Sequence, residues 1–408
     1  MTDSLRVGRC GSSSMNGGRK MSQHGRTTSE AATSTSRLSK RAEPYLDPDR
    51  IRIARMRRGL TKVELARKLA VTPGTIARYE AGEAPSGLSH ALGDVLDFPP
   101  DYFDRVDAPV FDPAEVRFRA ARRATARERD AAVAAGVSGV EIDHWISSRY
   151  ALPKTSLPSM AGDDPRTAAR LLRGDWGLGT KPLPNLVQLC ESRGIRVYTL
   201  PPVADSVDAY SMWRSNTPYI FLARRKTPER IRFDLAHEIG HLVLHDNEPC
   251  HTAADEKEAD AFASEFLIPS ASLTEYLSPT PTVDDVLVVR EQFKVSAMAL
   301  VFAAHKSGRI SDWIYRQTCI ELSTRGFRTA EPGGMSNYEM SRVFPQVLKR
   351  SSATRVVTAR VIADDLSLPL GDVHALTFGT ELRTAQETEV TSKTDRSSLV
   401  GRHQLHAV

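Results

Sequence analysis

The run FDLAHEIGHLVLH at residues 233–245 constrains this chain more than any other stretch. Leu235, Ile239, Leu242 and Val243 recur with the period of a helix that buries one face, and His237, Glu238 and His241 are set into it in the spacing H-E-x-x-H. On a helix this spacing puts two imidazoles one turn apart on one face with a carboxylate beside them. Such a pair binds zinc through neutral ring nitrogens, needs a third protein ligand from elsewhere, and leaves a position for a water that the ion acidifies. Glu238 is then the group that takes the proton of that water, not a metal ligand. A core helix with two incidental histidines would show the same apolar period, so the zinc reading depends on a third ligand.

The nearest source of that ligand is DEKEADAFASEFLIP, residues 255–269. Ala259, Phe262, Ala263, Phe266 and Leu267 form one apolar helical face, and Pro269 marks its exit. Glu258 lies beside this face and can point inward at a buried ion, whereas Glu256, Lys257 and Glu265 are expected in water. His245 continues the four-residue spacing of His237 and His241. On a straight helix, however, His237 and His245 start about 12 Å apart, too far to share one ion, so His245 is expected to cap or support the site. Cys250 and His251 would offer a separate soft-metal corner with no partners near them in sequence.

Upstream, residues 47–106 switch to short, punctuated helices. A first helix holds Ile51, Ile53, Ala54 and Met56 and stops at Gly59; Thr61 and Glu64 make a capping box for a second; Thr72 caps a third, with Pro73 in its first turn. Two short helices across a tight turn predict a helix-turn-helix whose second helix enters the major groove of DNA. The charge balance, 55 Lys and Arg against 50 Asp and Glu, is basic enough to suit a nucleic-acid partner without requiring one. The four cysteines are scattered with no C-x-x-C pair, and no apolar run approaches a membrane span, which together predict a reduced, cytoplasmic protein with no membrane partner.

Residues 1–45 are rich in Ser, Thr, Gly and Arg and are expected to be a disordered basic tail, with Met15 and Met21 as possible internal starts; residues 384–408 are expected to be a second tail. Residues 107–163 read as a helical linker, in which Arg117, Arg119, Arg122 and Arg123 would extend a DNA-facing surface. From residue 164 to 320, helices surround short β-like runs at residues 195–200, 209–214 and 219–222, the pattern of an α+β domain. Residues 321–383 contain two more helical patterns, a reduced helix-turn-helix or a packing module. The expected fold class is mostly helical α+β, an all-α N-terminal domain followed by a zincin-like domain with a small sheet.

Two resemblances sharpen this reading. The run LTKVELARKLAVTPGTIARYEAGEAPS resembles the XRE, or phage-repressor-like, family of DNA-binding domains, matching in Leu65, Ala66, Leu69, Val71, Thr72, Ile76, Glu80 and Gly82. In that family the residues after the third-helix cap reach base edges; here they are Pro73 and Gly74, which have no side-chain donor. DNA contact would then rest on Thr72, Thr75 and Arg78, with Lys62, Arg57 and Arg58 on phosphates. The same module would alternatively serve protein contacts. The segments RFDLAHEIGHLVLH and EADAFASEFLIP together resemble the ImmA/IrrE family of zinc peptidases. That resemblance implies His237, His241 and Glu258 as zinc ligands, Glu238 as general base, and Asp260 as a group orienting a ligand. It departs from the family at Ala223, where Asn is common. The fusion implies a regulator that binds operator DNA as a dimer and cleaves a repressor- or antitoxin-like protein in stress response or mobile-element control. A repressor whose metallopeptidase-like domain senses without proteolysis is the alternative.

Overall fold

Capping chemistry sets the first helices in the computed structural model, which describes residues 45–105, 117–118, 125–204, 207–245, 252–349, 351–352 and 355–380. The two expected tails apart from Tyr45, together with Cys10, Cys250, His251, Arg119, Arg122 and Arg123, lie outside the described residues. The Asp47 carboxylate accepts from the Asp49 amide at 2.9 Å and opens α1 (Pro48–Arg57). In α2 (Lys62–Lys68) the Thr61 amide donates to Glu64 at 2.7 Å and the Glu64 amide to the Thr61 hydroxyl at 3.2 Å. The Thr61 amide and hydroxyl, both donating to its carboxylate, hold the Glu64 carboxyl below its ordinary range. Thr72 caps α3 (Pro73–Arg78), followed by α4 (Ser89–Leu96) and α5 (Asp101–Asp104). Leu65, Ala66 and Ile76 are buried between α2 and α3, and an Arg55–Glu80 pair at 2.5 Å ties α1 to the turn after α3.

A short strand β1 (Arg117–Phe118) leads to α6 (Ala126–Ser147), and then come α7 (Pro165–Asp175), α8 (Leu186–Ser192) and the strands β2 (Arg196–Thr199), β3 (Ala209–Arg214) and β4 (Thr217–Leu222). The sheet order is β1-β3-β4-β2, with β2 parallel to β4 and the other pairs antiparallel. Ser215 and Asn216 carry φ of 46° and 63°, which gives the two-residue β3–β4 turn the positive dihedrals a tight hairpin needs. Beyond the sheet lie α9 (Pro228–Leu244), α10 (Ala253–Leu267), α11 (Ser270–Tyr276), α12 (Val283–Phe293), α13 (Ala297–Lys306) and α14 (Asp312–Thr324). The described chain ends with α15 (Val343–Lys349), the two-residue pair β5 (Ser351–Ser352) and β6 (Arg355–Val356), α16 (Ala359–Leu366) and α17 (Leu370–Leu376). This is the mostly helical α+β architecture expected. Among the described residues no helix is long and apolar enough to cross a membrane.

The sheet lies between α6 on one face and α9 on the other. Side chains alternate accordingly. In the β2–β4–β3 register Tyr198, Phe221 and Tyr210 sit side by side, and Phe221 stacks on both neighbours at 5.8 and 4.7 Å between centroids. This ring row faces α6 at Gly136 and Gly139; a Cβ on Gly139 would stand 2.6 Å from the Phe221 ring.

Residues 107–163, expected as a linker, therefore contribute a central helix. Residues 131–143 of α6 are buried in succession. The α1 helix packs on its outer side, where Arg50 pairs with Glu141 at 2.8 Å with both side chains buried. The C-terminal helices also join this body: Trp145 Nε1 donates to Asp365 at 2.9 Å, and the Phe378 amide donates to Thr199 Oγ at 3.2 Å.

The close approach at Gly139 gives a test of this layering. Helix propensity alone would make Gly139→Ala stabilising by about 1 kcal/mol. The methyl group has no room beside a ring stacked on two others, so the variant should instead lose about 1–3 kcal/mol in urea denaturation. An increase in stability would contradict the packing described.

Candidate functional site

The two histidines of the H-E-x-x-H run sit on α9 where Gly240 lets α10 come close. A Cβ at Gly240 would stand 3.3 Å from the Ala259 Cα and 3.0 Å from the Phe262 ring. The small residues Gly240 and Ala259 thus set the helix separation, and the stacked Phe262 and Phe266 rings, both fully buried, fill the space beside them. His237 and His241 are fully buried beside this contact, and Glu238 is fully buried on the sheet side of α9.

Two imidazole nitrogens and one carboxylate converge between the helices. The Nε2 atoms of His237 and His241 face each other at 2.9 Å, and the Glu256 carboxylate reaches His241 Nε2 at 3.3 Å and His237 Nε2 at 3.6 Å. Ligand bonds of about 2.05 Å in a tetrahedron put donor atoms about 3.3 Å apart, so the spacing fits one zinc ion. His237, His241 and Glu256 form one of two candidate metal-holding groups among the described residues; His245, Asp255 and Glu258 form the other.

The supporting bonds decide the tautomers. His237 Nδ1 lies 2.9 Å from Asp260 Oδ1, and a carboxylate can only accept, so the proton sits on Nδ1 and the Nε2 lone pair is left facing Glu256. His245, at the C-cap of α9, places its Nε2 3.0 Å from Glu258 and its Nδ1 3.1 Å from His241 Nδ1. By the same logic His245 donates to Glu258 and accepts from His241, which again leaves the His241 Nε2 lone pair toward the shared centre. Two lone pairs and a carboxylate facing one another repel, and a cation between them removes the conflict.

The carboxylate at this centre differs from the one expected. Glu258 was expected to point inward and Glu256 into water; in the structure Glu256 meets the two imidazoles and Glu258 is spent on His245. The reason is helical phase. Asp260 serves His237, and the residue one turn before it on the same face is Glu256, whereas Glu258 is rotated about 100° per residue away from both. The signal was in the sequence, in the four-residue spacing from Glu256 to Asp260.

Glu238 is met from the sheet, where Ser211 Oγ on β3 donates to its carboxylate at 2.7 Å. Nothing in the sequence singled out Ser211, because only the β3 register shows which of its side chains faces α9. Trp213, two residues on, donates from Nε1 to the Leu242 carbonyl at 3.1 Å and fixes the end of α9 against the same strand.

The helix-turn-helix places its candidate residues less uniformly. Thr72 Oγ accepts from the Thr75 amide at 3.1 Å and lies 2.9 Å from Thr75 Oγ, so both hydroxyls serve the start of α3 at an exposed end. Arg78 is exposed and pairs with Glu83 at 2.6 Å; Lys62 lies 3.1 Å from Glu80. Arg57 and Arg58, expected on phosphates, are used inside the protein. Arg57 is 2 % exposed and pairs with Asp372 at 3.1 Å, and Arg58 donates to the Leu96 carbonyl at 2.6 Å and to Asp372 at 3.1 Å. The C-terminal helices were not foreseen as their partner. Arg67 and Lys68 at the end of α2 are exposed instead.

Residues 190–305 match the family model of the IrrE N-terminal-like domain of the M78 peptidases, and residues 49–106 match that of a helix-turn-helix domain. No curated protein matches the chain. The chain joins a helix-turn-helix domain to a metallopeptidase-like domain, in the order of the fusion the sequence resembles.

The α9–α10 approach carries a direct consequence. Gly240→Val should push α10 outward and weaken zinc binding, measured by competition with a chromophoric chelator, by roughly tenfold or more, the scale seen when supporting groups of a metal site are disturbed. Helix content by circular dichroism should stay near wild type; unchanged zinc affinity would refute the role given to this contact.

Proposed function

We propose that this protein is a DNA-binding transcriptional regulator with a zinc-dependent peptidase domain that cleaves a repressor- or antitoxin-like protein. The observation that carries the reading is the convergence of two imidazole lone pairs and one carboxylate within bonding range of a single ion. His237, His241 and Glu256 would hold Zn²⁺, with Asp260 and the His245–Glu258 pair fixing the two rings. When bound, the ion supplies Lewis acidity toward the scissile carbonyl and lowers the pKa of water to about 7. Glu238 takes the proton of the attacking water and returns it to the leaving amine, and Ser211 holds the carboxylate in place for both transfers. The helix-turn-helix would bring the activity to operator DNA as a dimer, in the cytoplasm, with Thr72, Thr75, Arg78 and Lys62 on its exposed side.

The second reading, a repressor whose peptidase-like domain senses without cutting, is favoured by one feature. Glu238 is fully buried with Ser211 bonded to it, so a peptide must open the site before it reaches the base.

One set of variants separates these readings. After dialysis against a chelator, wild type and Glu238→Gln should retain stoichiometric zinc, Glu256→Ala should lose it, and Glu258→Ala should keep it with affinity reduced roughly 10–100-fold. Glu238→Gln should abolish cleavage-dependent derepression in cells; full biological activity of that variant would establish the sensor. Zinc lost from Glu258→Ala but kept by Glu256→Ala would reverse the ligand assignment.

DNA contact through α3 is tested separately. Arg78→Ala should weaken binding to the operator region of its own gene and lower the salt slope by about 1. A slope equal to wild type would remove Arg78 from the interface.

A further inference from the structure

Beside the candidate metal centre lies a cavity of about 820 Å³ that no step of the proposed chemistry uses. Its walls come from the first half of α9, the second half of α10, and the helices α13 and α14. Phe233, Leu267, Met298, Phe302 and Tyr315 make them mainly apolar and give three aromatic rings. Ligand pockets run about 300–1,000 Å³ with apolar walls and a few charged groups, so the size and lining are those of a small-molecule site.

The charged groups at its rim are unbalanced. Of the acids lining it, Asp234 is met by Lys226 at 2.9 Å, Glu229 accepts from the Met335 amide at 2.5 Å, and Asp260 is held against His237 at 2.9 Å. Of the bases lining it, Lys226 is taken by Asp234 and Arg166 stands 3.8 Å from Glu265, and the other three are less occupied. Arg230 donates to the Arg328 carbonyl at 2.9 Å, a neutral partner, and the Lys306 ammonium lies 5.6 Å from the centre of the Phe302 ring. Lys257 is exposed at the mouth. None of these three cations makes an ion pair with a carboxylate among the described residues; Arg230 and Lys306 feel Glu331 and Asp312 only at longer range.

We infer that this cavity binds an amphipathic aryl carboxylate, its ring system against Phe233, Phe302 and Tyr315 and its anionic head toward Lys257, Lys306 and Arg230. Three rings favour a planar aromatic body, which stacks on them, and cations at the rim of an apolar pocket that make no direct ion pair favour an anion that keeps its charge at the mouth. The inference stands whether the neighbouring site cuts peptides or not. Because Asp260 lines the cavity and also bonds His237, the ligand would sit one side chain from the metal centre.

The probe is 2-naphthoate, with neutral 2-naphthamide as its isosteric control, titrated into the full-length protein and followed by naphthyl fluorescence and calorimetry. 2-Naphthoate should bind saturably with Kd below about 1 mM, roughly tenfold or more tighter than the amide, the scale of one charge-assisted contact. Lys257→Gln combined with Lys306→Gln changes only exposed side chains and should erase that preference while leaving the amide affinity unchanged. Ala299→Trp, on the α13 wall, should fill the cavity and abolish binding of both. The inference is overturned if 2-naphthoate shows no saturable binding, if the amide binds as tightly, or if the double lysine variant keeps the wild-type preference.

Discussion

The approach of α9 to α10 at Gly240 and Ala259 is the contact on which the rest of the candidate site depends. With side chains no larger than a hydrogen and a methyl at the crossing, the helices come close enough for groups on α10 to reach imidazoles on α9. The same closeness excludes water from His237 and His241, so their electrostatic interactions are stronger than they would be at the surface. Each imidazole is then oriented from behind, His237 by Asp260 and His241 by His245 with Glu258. Both supporting carboxylates come from the helix that also supplies Glu256, so α10 provides one acid for the centre and one behind each ring.

The site is joined to the remainder of the fold through the sheet. Glu238 rests on Ser211 of β3, and the opposite face of β3 presents Tyr210 to the ring row that packs on α6. On its far side α6 receives α1 through the buried Arg50–Glu141 pair. Breaking one partner of such a pair leaves an uncompensated buried charge and is strongly destabilising, so it fixes how the helix-turn-helix meets the body of the protein. Asp372 of α17 does the same from another direction by pairing with Arg57 and Arg58.

What the sequence disclosed follows the kind of signal each element carries. The helix-turn-helix was legible because caps and breakers are local: Thr61 with Glu64, Thr72 before Pro73, Gly82 after α3. The α9 helix was legible because its histidine spacing is itself the chemistry. The role of α6 was hidden because a helix buried on all sides has no polar face to mark a period, and its alanines and glycines are read as easily in a linker. Arg57 and Arg58 were misread because a basic side chain looks solvent-exposed until its partner is known, and Asp372 lies more than three hundred residues away. Glu256 was missed for a smaller reason. Apolar neighbours were used to set the helical phase, when the polar residue Asp260, whose partner is on α9, sets it more directly. Ser211 depended on strand register, which the alternation of AYSMWR alone leaves undecided.

The central claim is that the facing Nε2 atoms and the Glu256 carboxylate form one zinc site. Anomalous diffraction at the zinc edge, from crystals of the full-length protein grown with the ion, tests it most directly. The account predicts a single strong peak about 2.0–2.2 Å from His237 Nε2, His241 Nε2 and a Glu256 oxygen. A peak held instead by His245, Asp255 and Glu258, or no peak between the two imidazoles, would contradict it.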